Sequence, residues 1–312
     1  MRLTNRFDLP QALVNFATRD PYDRGAAAIS VTELIDSPRV VELRHAHAND
    51  MEEDVADKLW ALVGRALHTV AEASSDDENH IVEERIFLKM SNGWTISGAI
   101  DVQELVGPAW TDRGGTVRPS KDLVDLYDYK FTSCYNVMND KPAWEQQLNI
   151  YGHLVKVSKQ REVRNLFIIG ILRDWRRSDA EKNPDYPQAP IIKLPVRQWS
   201  DNEMTDYLQG RVALHEAARD LTFDEIEDCS YEERWQNESS WAVMKNDGIK
   251  AIRVFDSDAA AQADAVERNA KAKKGDVYVV NHRPGTRMRC EGNYCGVADQ
   301  CNVWQAIKRT RN

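Results

Sequence analysis

The sequence is most constrained by an unbroken apolar run inside residues 165–175, NLFIIGILRDW. The run is far shorter than the roughly 20 apolar residues that a membrane-spanning helix needs. A strand without polar alternation is typical of α/β sheets, in which both faces of the strand are covered. We therefore predict a central strand here that is buried on both faces.

The segments around this strand predict a mixed sheet. Strand-like runs occur at 81–90, 94–105, 123–132 and 191–196, the last as an edge strand. Helical patterns occur at 31–45, 55–71, 143–160 and 200–219, the last opened by a capping box of Ser200 and Glu203. The order helix, three strands, helix, strand indicates an α/β fold with a central mixed β-sheet flanked by helices.

The last third of the chain predicts a second, smaller unit. Two strand-like segments, AIRVFDS and DVYVV, flank an Ala-rich helix at 257–272. We therefore expect a core domain at 1–219, which begins with a helical segment, and a C-terminal α/β appendage at 220–312. A chain of 312 residues with 42% apolar residues can bury a core of this size, which excludes a disordered or fibrous protein.

Charge is distributed unevenly along the chain. The formal net charge is −9, which argues against a protein that wraps nucleic acid as histones do, yet residues 271–311 carry nine Lys and Arg against three acids. This segment predicts either a basic surface for an anionic polymer or a solvated basic tail. The N-terminus has no basic flank, apolar stretch or cleavage site of a signal peptide, so we expect a cytosolic protein without a membrane partner.

Three charged residues on neighbouring predicted strands suggest a metal site. Asp128 and Lys130 are two apart on one strand and therefore project from the same face. Asp101 ends the sequence GAID on the preceding strand and would lie across from Asp128 if the two strands pair. Two converging carboxylates repel each other unless a cation lies between them, and Mg²⁺ or Mn²⁺ prefers such oxygen ligands. Lys130 beside that cation could orient an attacking water, whereas a surface ion pair is the simpler alternative.

Two helices contribute further candidates. His68 lies late in the helical pattern at 55–71, and imidazole is a ligand that suits Mn²⁺. Gln147 and Tyr151 are four apart on the helix at 143–160 and therefore share a face. An apolar stripe lies beside that face, so a packing role for Tyr151 is the alternative.

These residues together resemble the PD-(D/E)XK nuclease superfamily in its RecB-like branch. The motifs follow one another as GRALH with His68, GAID with Asp101, DYK with Asp128 and Lys130, and QLNIY with Gln147 and Tyr151. The branch includes the RecB and AddB nuclease domains and CRISPR-associated RecB-like exonucleases. The matching motifs span 64–151, and segments near both ends of the chain resemble versions carried by tailed bacteriophages.

The resemblance implies a restriction-endonuclease-like core and a role for each motif residue. Metal binding would fall to His68, Asp101, Asp128 and the backbone carbonyl of Tyr129. Lys130 would serve the attacking water, and Gln147 and Tyr151 would contact the DNA backbone or brace the site. Catalysis would thus depend on Asp101, Asp128, Lys130, Gln147 and Tyr151.

Three of the five cysteines crowd into one segment, as Cys290, Cys295 and Cys301. Relatives with an iron–sulfur cluster carry three C-terminal cysteines and a fourth near the N-terminus, where this chain has Ser37. Because such clusters are normally held by four thiolates, the fourth ligand is open: Cys134, Cys229 or a group other than cysteine. The site could instead hold zinc, or the three cysteines could be reduced and bind nothing.

The sequence as a whole predicts a metal-dependent DNA nuclease, and an exonuclease in particular, that acts in phage-type DNA replication, recombination or degradation in the cytosol of a bacterial host. The alternative is a catalytically weak DNA-binding accessory protein that keeps the nuclease fold and works with a helicase or recombination partner. A third possibility is an interaction scaffold built on a zinc or iron–sulfur site, with no dependence on Asp101 or Lys130. No GxxxxGK[ST] loop is present, so any movement along DNA requires a separate motor.

Overall fold

The chain divides into two compact units in the computed structural model. The structure describes residues 2–18, 25, 27–74, 78–111, 117–139, 141–246 and 248–311. One unit comprises Met1–Asp36 and Ala48–Asp220, and the other comprises Ser37–His47 and Leu221–Asn312. The segment 37–47 thus belongs with the C-terminal unit, although the sequence predicts it as part of the core domain at 1–219.

The helices alternate with strands along most of the chain. The strands are β1 (Arg2–Thr4), β2 (Ile29–Ser30), β3 (Glu52–Asp54), β4 (His80–Lys89), β5 (Thr95–Thr111), β6 (Val117–Thr132), β7 (Glu162–Leu172), β8 (Ile191–Val196), β9 (Ser240–Lys245), β10 (Ala251–Phe255) and β11 (Tyr278–Arg283). The helices are α1 (Gln11–Thr18), α2 (Val31–Leu34), α3 (Pro38–Ala46), α4 (Leu59–Ser74), α5 (Cys134–Met138), α6 (Pro142–Lys159), α7 (Arg177–Ala180), α8 (Asp201–Arg219), α9 (Asp258–Ala270), α10 (Met288–Glu291) and α11 (Asn302–Arg311), and a 3₁₀ turn spans Val55–Lys58.

A six-stranded mixed sheet forms the centre of the first unit, as the described residues show it. Its order is β2-β5-β6-β7-β8, and β4 pairs with β5 as well. Strands β6 and β7 run parallel, joined by α6, whereas β5 is antiparallel to β4 and β6, and β8 is antiparallel to β7. The predicted α/β class with a mixed sheet and flanking helices is confirmed, as are the edge strand β8 and the capping box that opens α8.

Helices α6 and α8 cover one face of this sheet with the main hydrophobic core. Leu148 and Leu154 of α6 and Leu208 of α8 are buried in one cluster with Leu126 of β6 and Ile168 of β7. Burying side chains of this size stabilises a fold by about 1.5–3 kcal/mol each. The core therefore fixes α6 against the strands that carry the predicted site.

The central strand β7 is less covered than its sequence predicts. Leu166, Ile168 and Leu172 are buried, but the alternate residues between them are only half-buried. On that second face, the ring of Phe167 stacks on Tyr127 at 5.3 Å and contacts the ammonium of Lys193 at 3.7 Å. The prediction of burial on both faces is therefore wrong for the second face, which side chains of neighbouring strands cover only in part.

Two other boundaries differ from the prediction. The helix expected at 31–45 is two helices, α2 and α3, interrupted at 35–37. Pro38 explains the break, because a residue before proline disfavours helical backbone. Strands β5 and β6 also extend beyond the predicted runs at 94–105 and 123–132, because β5 continues to Thr111 and β6 begins at Val117; residues 112–116 between them lie outside the described residues.

The second unit contains the predicted α/β appendage. Strand β9 is the centre of an antiparallel sheet with the order β10-β9-β11. Ala261 and Ala265 of α9 pack on Val243 of β9, so the small residues of the Ala-rich helix let it approach the sheet closely. Over the described parts of both units, we find no helix with the length and apolar composition that a membrane crossing requires.

Glu84 on β4 joins the end of α6 to the sheet through three hydrogen-bonded partners. Its carboxylate lies 2.7 Å from Lys159 Nζ and 2.8 Å from Arg161, and it accepts a hydrogen bond from Gln103 Nε2 at 2.7 Å. Burial alone would raise the pKa of Glu84, but the hydrogen bonds from Lys159, Gln103 and Arg161 outweigh it and hold the pKa at about 2. The ionised carboxylate is therefore the form that stabilises this junction.

We predict that Glu84→Gln lowers the free energy of unfolding at neutral pH by about 1–3 kcal/mol, because the substitution removes charge-assisted hydrogen bonds. The folded pKa of about 2 lies below the ordinary 4.5. The stabilisation is therefore present above pH 4.5 and is lost as the pH falls towards 2. Urea unfolding at several pH values tests this, with the exposed Glu181→Gln as control. An equal loss at pH 7 and at the acid end would contradict the assignment.

Candidate functional site

The candidate site lies where β5 changes its partner along one edge. Strand β4 occupies one edge of β5 over residues 95–104. On the other edge β5 pairs with β2 at Ile96 and Ser97, and with β6 only from Val102 onward. Residues 98–101 therefore lie at a fork between β2 and β6, and Asp101 is the residue that precedes the pairing with β6.

The alternation of core-facing side chains changes phase at this fork. Gly98 faces Tyr151 of α6, and Ile100 is in the same core. Further along β5, it is Leu105, paired with Val124, that joins this core. In a regular strand, residues separated by an odd number face opposite sides. The core-facing residues of β5 therefore switch from even to odd numbers near Asp101. On the neighbouring strand β4, Glu83 has a left-handed backbone with φ of 48°.

The carboxylate of Asp101 turns into the fork and binds the backbone of β6. Its Oδ2 accepts a hydrogen bond from the Tyr129 backbone N–H at 2.7 Å. Because this nitrogen is bonded to the carbonyl carbon of Asp128, the Asp101 carboxylate lies against the backbone of the second acid. The N–H and C=O of one strand residue point to the same edge, so the carbonyl of Tyr129 also points towards the fork.

Asp128 and Lys130 form the polar end of a chain of contacts that leads to α6. Lys130 Nζ lies 2.7 Å from Oδ2 of Asp128 and donates a hydrogen bond to Gln147 Oε1 at 3.0 Å. Gln147 Nε2 in turn donates to the Tyr151 hydroxyl at 2.9 Å. The two predicted pairs, Asp128 with Lys130 and Gln147 with Tyr151, are thus parts of one network. Only Lys130, with its side chain one quarter exposed, opens this network to solvent.

Gly98 accounts for the position of Tyr151. A Cβ at position 98 would lie 2.6 Å from Cε1 of the Tyr151 ring, closer than real Cβ contacts. The glycine therefore lets the tyrosine ring lie flat against β5 beside the fork. Tyr151 is itself only 4% exposed, so its role in packing, the alternative from the sequence, coexists with its hydrogen bond to Gln147.

The fork offers oxygen ligands that suit a hard divalent cation. Oδ2 of Asp128 is buried, and its neighbour is the ammonium of Lys130 at 2.7 Å; among the described residues no further donor reaches it. Asp101 lies against the same stretch of β6, because its Oδ2 accepts from the Tyr129 backbone N–H. The predicted ligand His68 lies on α4, but its side chain is outside the described residues.

The number of protein ligands also bears on which metal fits. Within the described ranges, no three His, Cys, Asp or Glu side chains are grouped as ligands of a metal ion. Mg²⁺ binds in proteins through as few as one or two carboxylates and keeps several waters. Two carboxylates and one carbonyl therefore fit Mg²⁺ or Mn²⁺ without a third acidic side chain.

The cysteines occupy two separate places. Cys134 lies in the first unit, where its backbone N–H donates to Asp174 and its Sγ contacts the Tyr186 hydroxyl at 3.1 Å. In the second unit, one cavity is lined by four cysteines: Cys229, Cys290, Cys295 and Cys301. The five cysteines, all within the part of the chain that the structure describes, form no disulfide bond.

Burial keeps two thiols of the cavity, those of Cys229 and Cys290, protonated at neutral pH. Burial raises the pKa of Cys290 to about 11 and that of Cys229 to about 12. A metal that binds these sulfurs must displace the protons, so its affinity would rise with pH. Cys229 thus lines one cavity together with the three cysteines that crowd near the C-terminus, whereas Cys134 lies elsewhere.

Sequence reasoning missed an aromatic and cationic cluster beside the carboxyl end of β6. Trp60 of α4 is 53% exposed and contacts Phe131, the residue after Lys130, with a ring separation of 5.9 Å. The guanidinium of Arg173 lies 4.6 Å from the ring centre of Trp60. The sequence contains no sign of this cluster, because its members come from α4, from β6 and from the residue after β7.

Comparisons with known proteins do not identify an activity for this chain. No family model and no curated protein sequence matches the chain. Among solved structures, one that is similar to this chain is "Crystal structure of SSO0001", with 15% identity and a TM-score of 0.41. The match covers 69% of this chain and 87% of that chain. A likeness of this degree carries no statement about activity.

We predict that Gly98→Ala lowers the free energy of unfolding by about 1–3 kcal/mol, because the new methyl group overpacks the contact with Tyr151. Gly210→Ala is the matched control: Gly210 lies in α8, and a Cβ added there would have no other atom within 4 Å. That substitution should stabilise the helix by about 0.5–1 kcal/mol. Urea unfolding of both variants provides the measurement, and equal stability of Gly98→Ala and wild type would exclude the close packing described above.

Proposed function

We propose that the chain is a metal-dependent deoxyribonuclease of the PD-(D/E)XK type, in its RecB-like branch, and that it acts as an exonuclease. The observation that supports this most is the junction of Asp101, Asp128 and Lys130 at one fork of the sheet. A surface ion pair would not bury Asp128 to 2% exposure. A buried carboxylate needs positive charge beside it, which Lys130 at 2.7 Å supplies in part and a bound metal ion would complete.

The metal would be Mg²⁺ or Mn²⁺, held by Asp101, Asp128 and the carbonyl of Tyr129, with His68 as the further ligand that the resemblance implies. When bound, such an ion supplies Lewis-acid polarisation of the scissile phosphate and a more acidic water. Lys130 lies beside Asp128 and can orient that water and offset the negative charge that develops on the phosphate oxygens. Gln147 holds Lys130 by its amide oxygen, and Tyr151 holds Gln147.

The DNA strand would enter along the cluster of Trp60, Phe131 and Arg173. An exposed indole offers a surface on which a base can stack regardless of sequence. Arg173 follows β7 directly and donates its backbone N–H to Thr132 at the end of β6, so its charge lies at the same end of the sheet as Lys130. An exposed guanidinium in that position can neutralise a phosphate beside the scissile bond.

Other bases near this site are occupied by the protein's own acids. Lys156 pairs with Asp201, Arg164 pairs with Asp125, and Lys159 and Arg161 pair with Glu84. Of the basic residues at 156–177, those that remain exposed near the sheet end are Arg173, Arg176 and Arg177. We therefore assign contacts with the DNA backbone to these three arginines rather than to the whole stretch.

The proposed setting is phage-type DNA replication, recombination or degradation in the cytosol of a bacterial host. This part of the proposal depends on the resemblance of the motifs. A helicase or recombination protein is the partner that this role requires if the substrate is duplex DNA, because the chain has no nucleotide-binding loop of its own.

We predict that Asp128→Asn and Lys130→Ala each reduce cleavage by about 100-fold or more, because both substitutions remove charge from the reacting centre. End-labelled single- and double-stranded DNA is incubated with Mg²⁺, with Mn²⁺ or with EDTA, and the product ladder gives the polarity of digestion. Exposed residues in the loop before β8 provide the matched controls Asp185→Asn and Lys182→Ala, which should cleave as the wild type does.

The same experiment separates the proposal from its alternatives. Cleavage that survives EDTA or Asp128→Asn would contradict a metal-dependent site at the fork. A wild-type chain that binds DNA but cleaves neither strand form with either metal would favour the accessory protein that works with a partner. A chain that neither binds nor cleaves DNA would favour the interaction scaffold.

We predict that Trp60→Ala weakens binding of single-stranded DNA by about 1–3 kcal/mol, which is the usual contribution of one stacked base. Fluorescence anisotropy with a labelled oligonucleotide provides the measurement, carried out in Ca²⁺ or EDTA so that the DNA stays intact. Phe7, which is 67% exposed, gives the control variant Phe7→Ala. Equal weakening by the two variants would mean that Trp60 has no specific role.

A further inference from the structure

One end of the small sheet in the second unit carries a cluster of lysines. Two loops meet there, residues 246–250 between β9 and β10, and residues 271–277 between α9 and β11. We call these two loops, together with the last residue of β9, the lysine tip. Its two acids are Asp247, which lies outside the described residues, and Asp276. Its five lysines are Lys245, Lys250, Lys271, Lys273 and Lys274.

Backbone hydrogen bonds hold the two loops of the tip against each other. The N–H of Asn246 donates to the carbonyl of Val277 at 2.7 Å, and the N–H of Val277 donates to Asn246 Oδ1 at 2.7 Å. Asn246 and Gly275 have left-handed backbones with φ of 51° and 94°, which asparagine and glycine adopt at low cost. Of the two alternatives for the basic segment, a basic surface therefore describes residues 271–277 better than a solvated tail.

Three lysines of the tip keep their charge available to a ligand. Lys250, Lys273 and Lys274 are exposed, and among the described residues none of them has an ion-pair partner. Lys245, in contrast, lies 2.9 Å from Asp276. The three available lysines come from both loops, so their positive charges are brought together by the contact between the loops.

The local charge of the tip is opposite to that of the whole chain. The tip carries a formal charge of +3, whereas the chain carries −9. Glu267 of α9 lies 2.6 Å from Lys271, but the two side chains are 69% and 73% exposed. An ion pair exposed to this degree contributes little stability, so Lys271 can exchange this partner for another anion.

The apolar side chains of the tip are too few to hold it at a membrane surface. Ile249 is 95% exposed and Val277 is 52% exposed. Burying one such side chain contributes about 1.5–3 kcal/mol, and even a whole myristoyl chain gives only marginal membrane binding. Clustered positive charge with little apolar surface fits the phosphate backbone of a nucleic acid better.

We propose that the lysine tip is a contact surface for the phosphate backbone of DNA, with Lys250 of one loop and Lys273 and Lys274 of the other as the groups that meet phosphates. This inference rests on the proposed function, which names DNA as the substrate. A lysine ammonium binds phosphate as a point charge and does not by itself read the base sequence. The tip therefore raises the affinity for DNA of any sequence and takes no part in cleavage.

The test compares two double variants that each remove two positive charges. Lys250→Ala with Lys273→Ala, the tip variant, takes one lysine from each loop. Lys89→Ala with Lys182→Ala, the control, takes two exposed lysines of the first unit. Fluorescence anisotropy with a labelled DNA duplex in Ca²⁺, at several salt concentrations between about 50 and 200 mM, gives the affinity and its salt dependence.

We expect the tip variant to bind the duplex about tenfold or more weakly at about 0.1 M salt. The slope of log affinity against log salt concentration should become shallower by about 2, because each phosphate contact contributes about 0.9. The control should keep the wild-type slope, and so should Lys250→Arg with Lys273→Arg, which retains both charges. Cleavage at saturating DNA should be the same in the tip variant as in the wild type.

The outcomes separate this proposal from the proposed nuclease activity. An unchanged slope in the tip variant, or an equal loss in the control, would overturn the contact surface and leave the nuclease assignment as it stands. A shallower slope in the tip variant of a chain that cleaves no DNA would support the contact surface and contradict the nuclease. Binding of the wild type to phosphatidylserine vesicles, lost in a tip variant whose affinity for DNA is unchanged, would assign the tip to a membrane and overturn the proposal.

Discussion

The hydrogen bond from the Tyr129 backbone N–H to the Asp101 carboxylate connects the two strands on which the candidate site depends. Strands β5 and β6 pair in one antiparallel register from Leu105 and Val124 to Val102 and Tyr127, and beyond that point the side chain of Asp101 takes the place of a backbone acceptor. The strands can then separate without leaving a buried N–H unsatisfied, which would cost about 1–3 kcal/mol. The opening that results is where Asp128 and the Tyr129 carbonyl meet.

Helix α6 supports this opening from the core side. Its apolar residues Leu148 and Leu154 fix the helix on the sheet, and its polar residues Gln147 and Tyr151 reach the fork. The packing of α6 on the sheet therefore also sets the geometry of the candidate site, because the glycine that admits the Tyr151 ring lies on β5 three residues before Asp101. The arrangement holds Lys130 in one orientation beside Asp128, which a flexible lysine on an exposed strand would not keep.

The two units differ in the chemistry of the side chains that could bind a metal. The fork offers hard oxygen ligands to a divalent cation, whereas the cysteine cavity offers soft sulfur ligands with guanidinium groups around them. Hard cations prefer carboxylates and carbonyls, and iron and zinc prefer thiolates. Ligand chemistry therefore distinguishes the two places, since the proposed cation site at the fork is built from oxygens and the cavity of the second unit is lined by sulfurs.

The sequence by itself determined the class of the fold and indicated the residues of the candidate site. Apolar periodicity predicts α6, α8 and the strands β4 to β8, because side-chain period follows directly from local backbone geometry. The order of the motifs also singles out Asp101, Asp128, Lys130, Gln147 and Tyr151, five residues that the structure joins by contacts in one region. What a local pattern cannot contain is the pairing of distant segments.

Only the tertiary structure decided four features of this protein. It brought Cys229 to the other cysteines across 61 residues, it assembled Trp60 with Phe131 and Arg173, and it paired Lys159 and Arg161 with Glu84. It also switched which residues of β5 face the core near Asp101, so that Gly98 and Asp101, three residues apart, both belong to the candidate site. Each of these depends on which strand or helix lies beside which, and that choice is made by burial of the whole core rather than by any single segment.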